Sequence, residues 1–169
     1  MTARCFAILV VFTLAAPARS GDKVEYTSKE GQYKAVFKAK PSEKEERVMG
    51  LSVKIAMLET PDGMFAVAFA DMPRRGRLLD NQIDKGLDTA RDYMLKSAKA
   101  TLVKEEQIKL ERKYPGRDVT AELPLGSGMI RCRMYAVDGR VYQIMVGGTT
   151  GFVKGTEAES FLSSFWLTK

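Results

Sequence analysis

From residue 32 onward the chain switches between two hydrophobic periods. Gln32 to Ala39 puts Tyr33, Ala35 and Phe37 on one side and Lys34 and Lys38 largely opposite, the two-residue repeat of a half-buried strand. Pro41 to Glu46 is charged and reads as a solvated loop. Val48 to Leu58 alternates most cleanly: Met49, Leu51, Val53, Ile55 and Met57 share one face, and Gly50, Ser52, Lys54 and Ala56 the other. Thr60-Pro61-Asp62-Gly63 follows as a turn, because proline presets one backbone angle and glycine accepts a positive one. Met64 to Met72 alternates again, with Phe65, Val67 and Phe69 facing one way and alanines the other. These two runs form a β-hairpin, and its alanine face predicts close packing against another element such as a helix.

The period then lengthens. Asp80 or Asn81 can cap a helix running to about Lys99, with Ile83, Leu87, Ala90, Met94 and Ala98 on one face and Lys85, Asp88, Asp92 and Lys96 on a solvated one. Leu102 to Leu110 reads as a strand with a polar middle, Tyr114-Pro115-Gly116-Arg117 as a turn, and Val119 to Leu123 as a strand. Met129 to Val137 and Val141 to Val146 flank Asp138-Gly139, the strongest short-range hairpin signal, since a type I′ turn needs positive φ twice. A two-residue loop there pairs Val137 with Arg140, Tyr135 with Tyr142, Arg133 with Ile144 and Cys132 with Met145. One face of the hairpin then carries Tyr135, Tyr142, Ile144 and Val146, and the other Ile130, Cys132, Met134, Val141 and Met145. Both faces are apolar, so both should be covered. Gly147 to Gly151 reads as a loop. Thr156 and Glu159 have capping-box spacing before a short helix that ends near Ser164, and Phe165, Trp166 and Leu167 require a docked C-terminus. The fold class is α+β: an antiparallel sheet covered by helices on both faces.

The amino-terminal pattern changes the picture of location. Arg4 precedes an apolar run from Cys5 to Ala16, and Pro17-Ala18-Arg19-Ser20 supplies small residues for cleavage before Arg19 or Gly21. That is the form of a secretory signal peptide over residues 1–20, and the run is shorter than the roughly 20 residues that span a bilayer. Cys5 opens the apolar run and does not follow it, unlike a lipid-attachment cysteine. Residues 21–31 read as a flexible leader and 32–169 as one domain, exported to the periplasm or the cell exterior, with no transmembrane segment after cleavage. Cleavage leaves 149 of the 169 residues, enough for a core without staples. Cys132 is then the lone cysteine, so no intramolecular disulfide forms, and its methionine neighbours predict a buried thiol.

Charge and chemistry narrow the function. Removing Arg4 and Arg19 takes the balance from 27 basic against 21 acidic residues to a net charge of +4. This is too small and too dispersed for nucleic-acid binding. The chain contains no histidine, which excludes Ser-His-Asp and Cys-His triads and imidazole zinc sites. No metal or cofactor site is expected. Gly147-Gly148-Thr149-Thr150-Gly151 lacks the lysine ending of a phosphate cradle.

Four segments recur together in a familiar order: Tyr114-Pro115-Gly116-Arg117-Asp118, Arg131-x-Arg133-x-Tyr135, Gly139-Arg140-x-Tyr142-Gln143 and Phe161-Leu162-x-Ser164-Phe165. Over roughly residues 32 to 168 the chain resembles the PsbP-like superfamily, and within it uncharacterised exported bacterial proteins. The resemblance implies an α/β/α sandwich. Members of that superfamily include photosystem extrinsic subunits, a nuclear-transport regulator and envelope lipoproteins, so it also implies a non-catalytic accessory role. Its motifs are turn and core residues, and no functional residue transfers with them.

Two candidate sites remain. Arg131 and Arg133 point to one face of a strand, where they either clamp a carboxylate or phosphate or form salt bridges to Asp118 or Glu122. Arg74, Arg75 and Arg77, with Lys85 near in sequence, form a basic loop suited to anionic envelope polymer or lipid headgroups, or simply to solvent. Three functions follow: a binding module for a protein partner in the cell envelope, a binder of anionic material through the arginine loop, and a carboxylate-dependent enzyme. The first predicts an exposed apolar patch beside a sheet edge or hairpin turn. The second predicts salt-sensitive binding. The third predicts a deep pocket holding perturbed carboxylates.

Overall fold

A computed structural model of the chain describes residues 23–72 and 80–168. The expected signal peptide and the arginines at 74, 75 and 77 lie outside the described residues, as do the side chains of Asp80 and Asn81. The chain runs β1 (Val24–Ser28), β2 (Tyr33–Phe37), β3 (Ser42–Val48), β4 (Leu51–Thr60), β5 (Gly63–Asp71), α1 (Asp80–Ala98), β6 (Thr101–Leu110), β7 (Tyr114–Glu122), β8 (Met129–Val137) and β9 (Arg140–Gly148). It closes with α2 (Thr150–Val153), α3 (Thr156–Leu162) and β10 (Trp166–Leu167). Seven strands form an antiparallel sheet in the order β3-β4-β5-β9-β8-β7-β6, and β1, β2 and β10 form a smaller one. The β3–β4–β5 and β6–β7–β8–β9 meanders therefore meet along β5 and β9.

The Asp138-Gly139 turn has the two positive φ values, 46° and 89°, that the dipeptide favours. The register follows from it: Val137 opposes Arg140, Tyr135 opposes Tyr142, and Cys132 opposes Met145. Elsewhere local signals mislead. Pro41 to Glu46, expected as a loop, falls largely in the edge strand β3 (Ser42–Val48), whose Ser42 to Arg47 are all exposed. An edge exposed on both sides has no alternation to betray it, and its charges guard against further strand pairing. The turn falls instead at Met49-Gly50, both with positive φ. The expected flexible leader contains β1, paired residue for residue with β2 from Val24↔Phe37 to Ser28↔Tyr33. Its anchor is Tyr26, whose ring meets Phe37 edge-on at 5.9 Å.

Tyr114 to Arg117 is not a turn but the start of β7; the reversal lies at Glu111 and Arg112, both with positive φ. Gly116 serves a different need there. A Cβ on it would lie 2.3 Å from the Met134 carbonyl oxygen and 2.5 Å from the Tyr135 ring. The capping box is also absent: Gly155 takes the cap position of α3 without a side-chain bond, and Glu159 is engaged elsewhere. Gly147 and Gly148 continue β9, and Thr149 caps α2 by accepting from the Phe152 N–H.

Two hydrophobic clusters lie on opposite faces of the large sheet. The larger gathers Phe65, Val67, Tyr142, Ile144 and Val146 against Tyr33, Ala35 and Phe37 of the small sheet and against Val153, Phe161 and Leu162 of α2 and α3. Phe161 meets both Phe37 and Phe65 at 4.9 Å, and Phe165 lies 5.5 Å from Tyr33 and 5.3 Å from Tyr142. So Phe165 docks the C-terminus, while Trp166 stays 37% exposed. The smaller cluster seats Leu87 and Met94 of α1 over Val119, Cys132 and Met134. The described residues are α+β, built on mostly antiparallel strands. A small sheet shares one side with α2 and α3, and the cluster beneath α1 stops at β9.

Candidate functional site

The charged residues singled out in the sequence come together, but with one another. Alternation on β7 sends Arg117 and Asp118 to opposite faces, and both are buried, at 7% and 8% exposure. Asp118 lies between the two arginines of β8. Arg131 donates Nε and a terminal N–H to the two Asp118 carboxylate oxygens at 3.0 and 2.7 Å, and Arg133 donates Nε to one of them at 3.0 Å. Glu159 of α3 closes the ring, accepting from Arg131 at 2.6 Å and Arg133 at 2.7 Å. Arg133 also donates to Ser163 Oγ at 3.1 Å. Every guanidinium nitrogen of the pair thus has an internal partner, and two cations face two anions. No fork is left open for a carboxylate or phosphate ligand. Burial raises the proton affinity of Asp118, but hydrogen bonds and charge from Arg131 and Arg133 outweigh it and hold the pKa below the ordinary aspartate value. Glu159 shifts down through the same balance. Both are held ionised, the opposite of what a general acid needs.

On the other face Arg117 donates to Asp84 of α1 at 2.9 Å and pairs with Glu105 of β6 at 3.2 Å. Arg91 reaches the same Glu105 at 2.8 Å and Asp92 at 2.8 Å. This network ties α1 to β6 and β7 and accounts for Glu105 in the polar middle of β6, where Lys104 and Glu106 are exposed and pair with each other at 3.0 Å. Arg117 and Asp118, neighbours in sequence, thus serve two separate networks. Cys132 has no accessible surface, and burial pushes its thiol pKa up, so it lacks the thiolate of a nucleophile.

Two open grooves flank the small sheet. One, of about 380 Å³, runs between β1 and the β3–β4 hairpin, past Tyr26, Glu43, Glu45 and Lys54. Tyr26 donates to Glu43 at 2.9 Å, and burial together with that bond pushes the phenol pKa up to about 12. Lys54 pairs with Glu30, and Ser52 with Glu45. The other groove, of about 470 Å³, is lined by Phe37, Lys38, Phe65, Glu157 and Phe161, with Lys38 and Glu157 paired to each other. The charged groups named in each groove have internal partners, and Lys29 in the first and Lys23 in the second line them as well. Among the described residues no group of three or more Asp, Glu or Cys side chains is arranged to hold a metal ion.

The unassigned surface is apolar. Beside Gln143 of β9 and the exposed Glu59 of β4, register places Leu51, Val53, Ile55 and Met57 of β4, Met64, Ala66, Ala68 and Ala70 of β5, and Val141 and Met145 of β9 on the face that also carries α1. Apart from Ala66, which is buried, all of these apolar residues are partly exposed. The cluster beneath α1 takes in Met145 and ends there; the others belong to neither cluster of the described residues. Helix α1 lies over β7 and β8, so the alanine floor of β5 is beside the helix and not beneath it. The periodicity of α1 explains the offset. Asp84, Asp88 and Arg91 turn toward β6 and β7, which leaves Gly86, Ala90 and Tyr93 on the flank toward β9 and β5. A Cβ on Gly86 would meet Met72, at the end of β5, at 3.5 Å, and Tyr93 is 40% exposed. Sequence alternation marks this face of β4 as the more apolar one, but does not show that it is left partly exposed.

An antiparallel sheet with α1 over its β7–β8 half and an aromatic core on its reverse defines the architecture. Comparison with solved structures gives that architecture a family likeness. The chain is similar to the solution structure of cyanobacterial PsbP (CyanoP) from Synechocystis sp. PCC 6803, with a TM-score of 0.62 over 91% of this chain and 98% of that one, at 12% sequence identity. The fold is PsbP-like. No protein-family model and no curated protein matches the sequence. The segments that carry the resemblance in sequence form one structural unit: Asp118 with Arg131 and Arg133, Tyr135 stacked on Phe165, and Ser164 accepting the Val36 N–H at 2.9 Å. They hold the fold together.

Proposed function

We propose that this chain is an exported, non-catalytic accessory protein that binds another protein through the apolar face of β4, β5 and β9. The observation that carries this reading is that face itself: a run of partly exposed aliphatic side chains next to an edge strand, assigned to neither core cluster. Contiguous apolar surface of this kind marks interaction sites. The closed network of Asp118, Arg131, Arg133 and Glu159 supports it, because that pair of arginines is already engaged by internal carboxylates. The layers are read as an α/β/α sandwich that takes in β1 from the expected leader as well as residues 32–169, preceded by a cleaved signal peptide at 1–20. Among the described residues no helix is long and apolar enough to cross a membrane.

The test is capture from the envelope fraction of the source cells by the wild type and by Ile55→Glu, at low and high salt. A discrete protein retained by the wild type at high salt and lost with Ile55→Glu supports the reading. Capture that Ile55→Glu leaves unchanged removes this face from the function, and loss of all material at high salt moves the function to the loop with Arg74, Arg75 and Arg77. Amino-terminal sequencing of the protein recovered outside the cytoplasm, beginning at Arg19 or Gly21, tests export.

A further inference from the structure

Resting on that reading, we infer that the partner docks here as a single amphipathic α-helix lying beside α1. The dimensions favour this occupant. Three strands at about 4.8 Å spacing and nine residues at about 3.3 Å rise give a face about 14 Å wide and 30 Å long. That is on the order of 400 Å², about half of the roughly 800 Å² per partner in a standard interface. It is too little for a stable dimer of this chain through the face alone. A helix with its side chains is about 10–12 Å across, and about 20 residues span 30 Å. One helix fills the space between the flank of α1 and the β3 edge.

The same sheet face already shows how it accepts a helix. On β7 and β8, Leu87 and Met94 of α1 seat over Val119, Cys132 and Met134. On β5 the floor is smaller, Ala68 and Ala70, and the flank of α1 beside it carries Gly86, which Met72 approaches, and Ala90, which also packs on the cluster beneath α1. Small residues on floor and flank let a helix axis approach closely, and they call for large aliphatic or aromatic residues on the incoming seam. An extended strand is a poorer fit. The neighbouring edge, β3, is exposed and charged from Glu43 to Arg47, with Lys44 and Glu46 paired at 2.8 Å. At the β3 rim Lys44 and Glu46 neutralise each other, so the contact is expected to rest on apolar area and shape and to vary little with salt.

The probe is a displayed library of 20-residue peptides in two halves, one with apolar positions at i, i+3, i+4 and i+7, the other strictly alternating. It is selected on the whole protein. The helical half is expected to be enriched, and its winners gain helicity on binding. Ile55→Glu should weaken them at least tenfold. Ala68→Phe should weaken them as much, because it fills the floor; adsorption to an apolar surface would instead be strengthened by that change. Enrichment of the alternating half, tighter binding to Ala68→Phe, or no enrichment overturns the helix. Self-association of the wild type that Ile55→Glu abolishes overturns it too, since the occupant is then a second copy. If capture of a native protein through Ile55 succeeds while the helical peptides fail, only the helix falls and the interaction reading stands. If no capture depends on Ile55, that reading falls as well.

Discussion

Asp118 and Ile55 sit on strands of one sheet and have opposite surroundings. Around Asp118, on β7 and β8, each buried charge meets its complement: Arg131 and Arg133 on one side, Glu159 closing over them, and Arg117 held by Asp84 and Glu105 on the reverse. Around Ile55, on β4 and β5, the side chains toward α1's face are aliphatic and partly open to water. Both arrangements look like candidate sites when read along the chain. Only the second has unmet binding capacity. A guanidinium whose nitrogens are all engaged offers nothing to a ligand, because a ligand would first have to break bonds made at good distance. An aliphatic face outside both clusters gains free energy from any occupant that excludes water, at about 25 cal/mol for each Å² of apolar area removed.

The sharpest way to break this contrast is to remove the helix from the covered half. Leu87 has no accessible surface and is the centre of the α1 contact. Leu87→Ala should cost about 4 kcal/mol, within the range for buried leucines, as measured by urea unfolding. A cost below about 1 kcal/mol would mean that α1 is not seated as described. Next comes the charge network. Asp118→Ala strands Arg131 and Arg133, which should destabilise by about 3 kcal/mol, the lower end for breaking a buried pair because both arginines keep some access to water. A near-neutral result would show that the network is dispensable.

The same network sets an acid limit. Asp118 and Glu159 have pKa values lowered in the folded state, so they contribute stability that is fully present above the unfolded carboxylate pKa near 4 and lost as pH falls through the folded values. The unfolding free energy of the wild type should therefore decline from about pH 5 downward. Asp118→Asn should show a shallower decline over that window and lower stability at pH 7. An unchanged slope would detach acid sensitivity from this site.

Much of the covered half was legible along the chain, and the reasons are local. Asp138-Gly139 dictated its own turn, and the turn dictated every pairing between β8 and β9. Cys132 among methionines announced a buried thiol. The errors share a different cause. Pro115-Gly116 resembles a turn because turns favour that dipeptide, yet Gly116 is required by the approach of Tyr135 from the next strand, a contact made only after β7 and β8 pair. Glu159 had capping-box spacing, but two arginines on a distant strand outcompete a single backbone N–H for its carboxylate. β3 was missed because an exposed edge has no buried face to imprint alternation. The open face was half legible: the alternation of β4 and the alanines of β5 were plain, and the expected helix over them was not. Where α1 lands depends on Arg117, Glu105 and Asp84, which draw it toward β6 and β7.

The smallest stability effect is the most informative. Ile55 lies directly opposite Lys44 of β3 on the open face, so in Ile55→Glu the new carboxylate shares with Glu46 the ammonium that Glu46 already engages. Cross-strand pairs of opposite charge contribute roughly 0.2–1 kcal/mol, which offsets part of the lost aliphatic packing. The unfolding free energy should stay within about 1 kcal/mol of the wild type, the range of a partly exposed substitution, while capture of the partner disappears. Ile55→Ala keeps the face apolar and only makes it shallower, so it should keep partial binding at similar stability. If Ile55→Glu instead unfolds the protein as badly as Leu87→Ala, then Ile55 belongs to a core as closed as that beneath α1. The two halves of the sheet would then be alike, and the docking face would not exist.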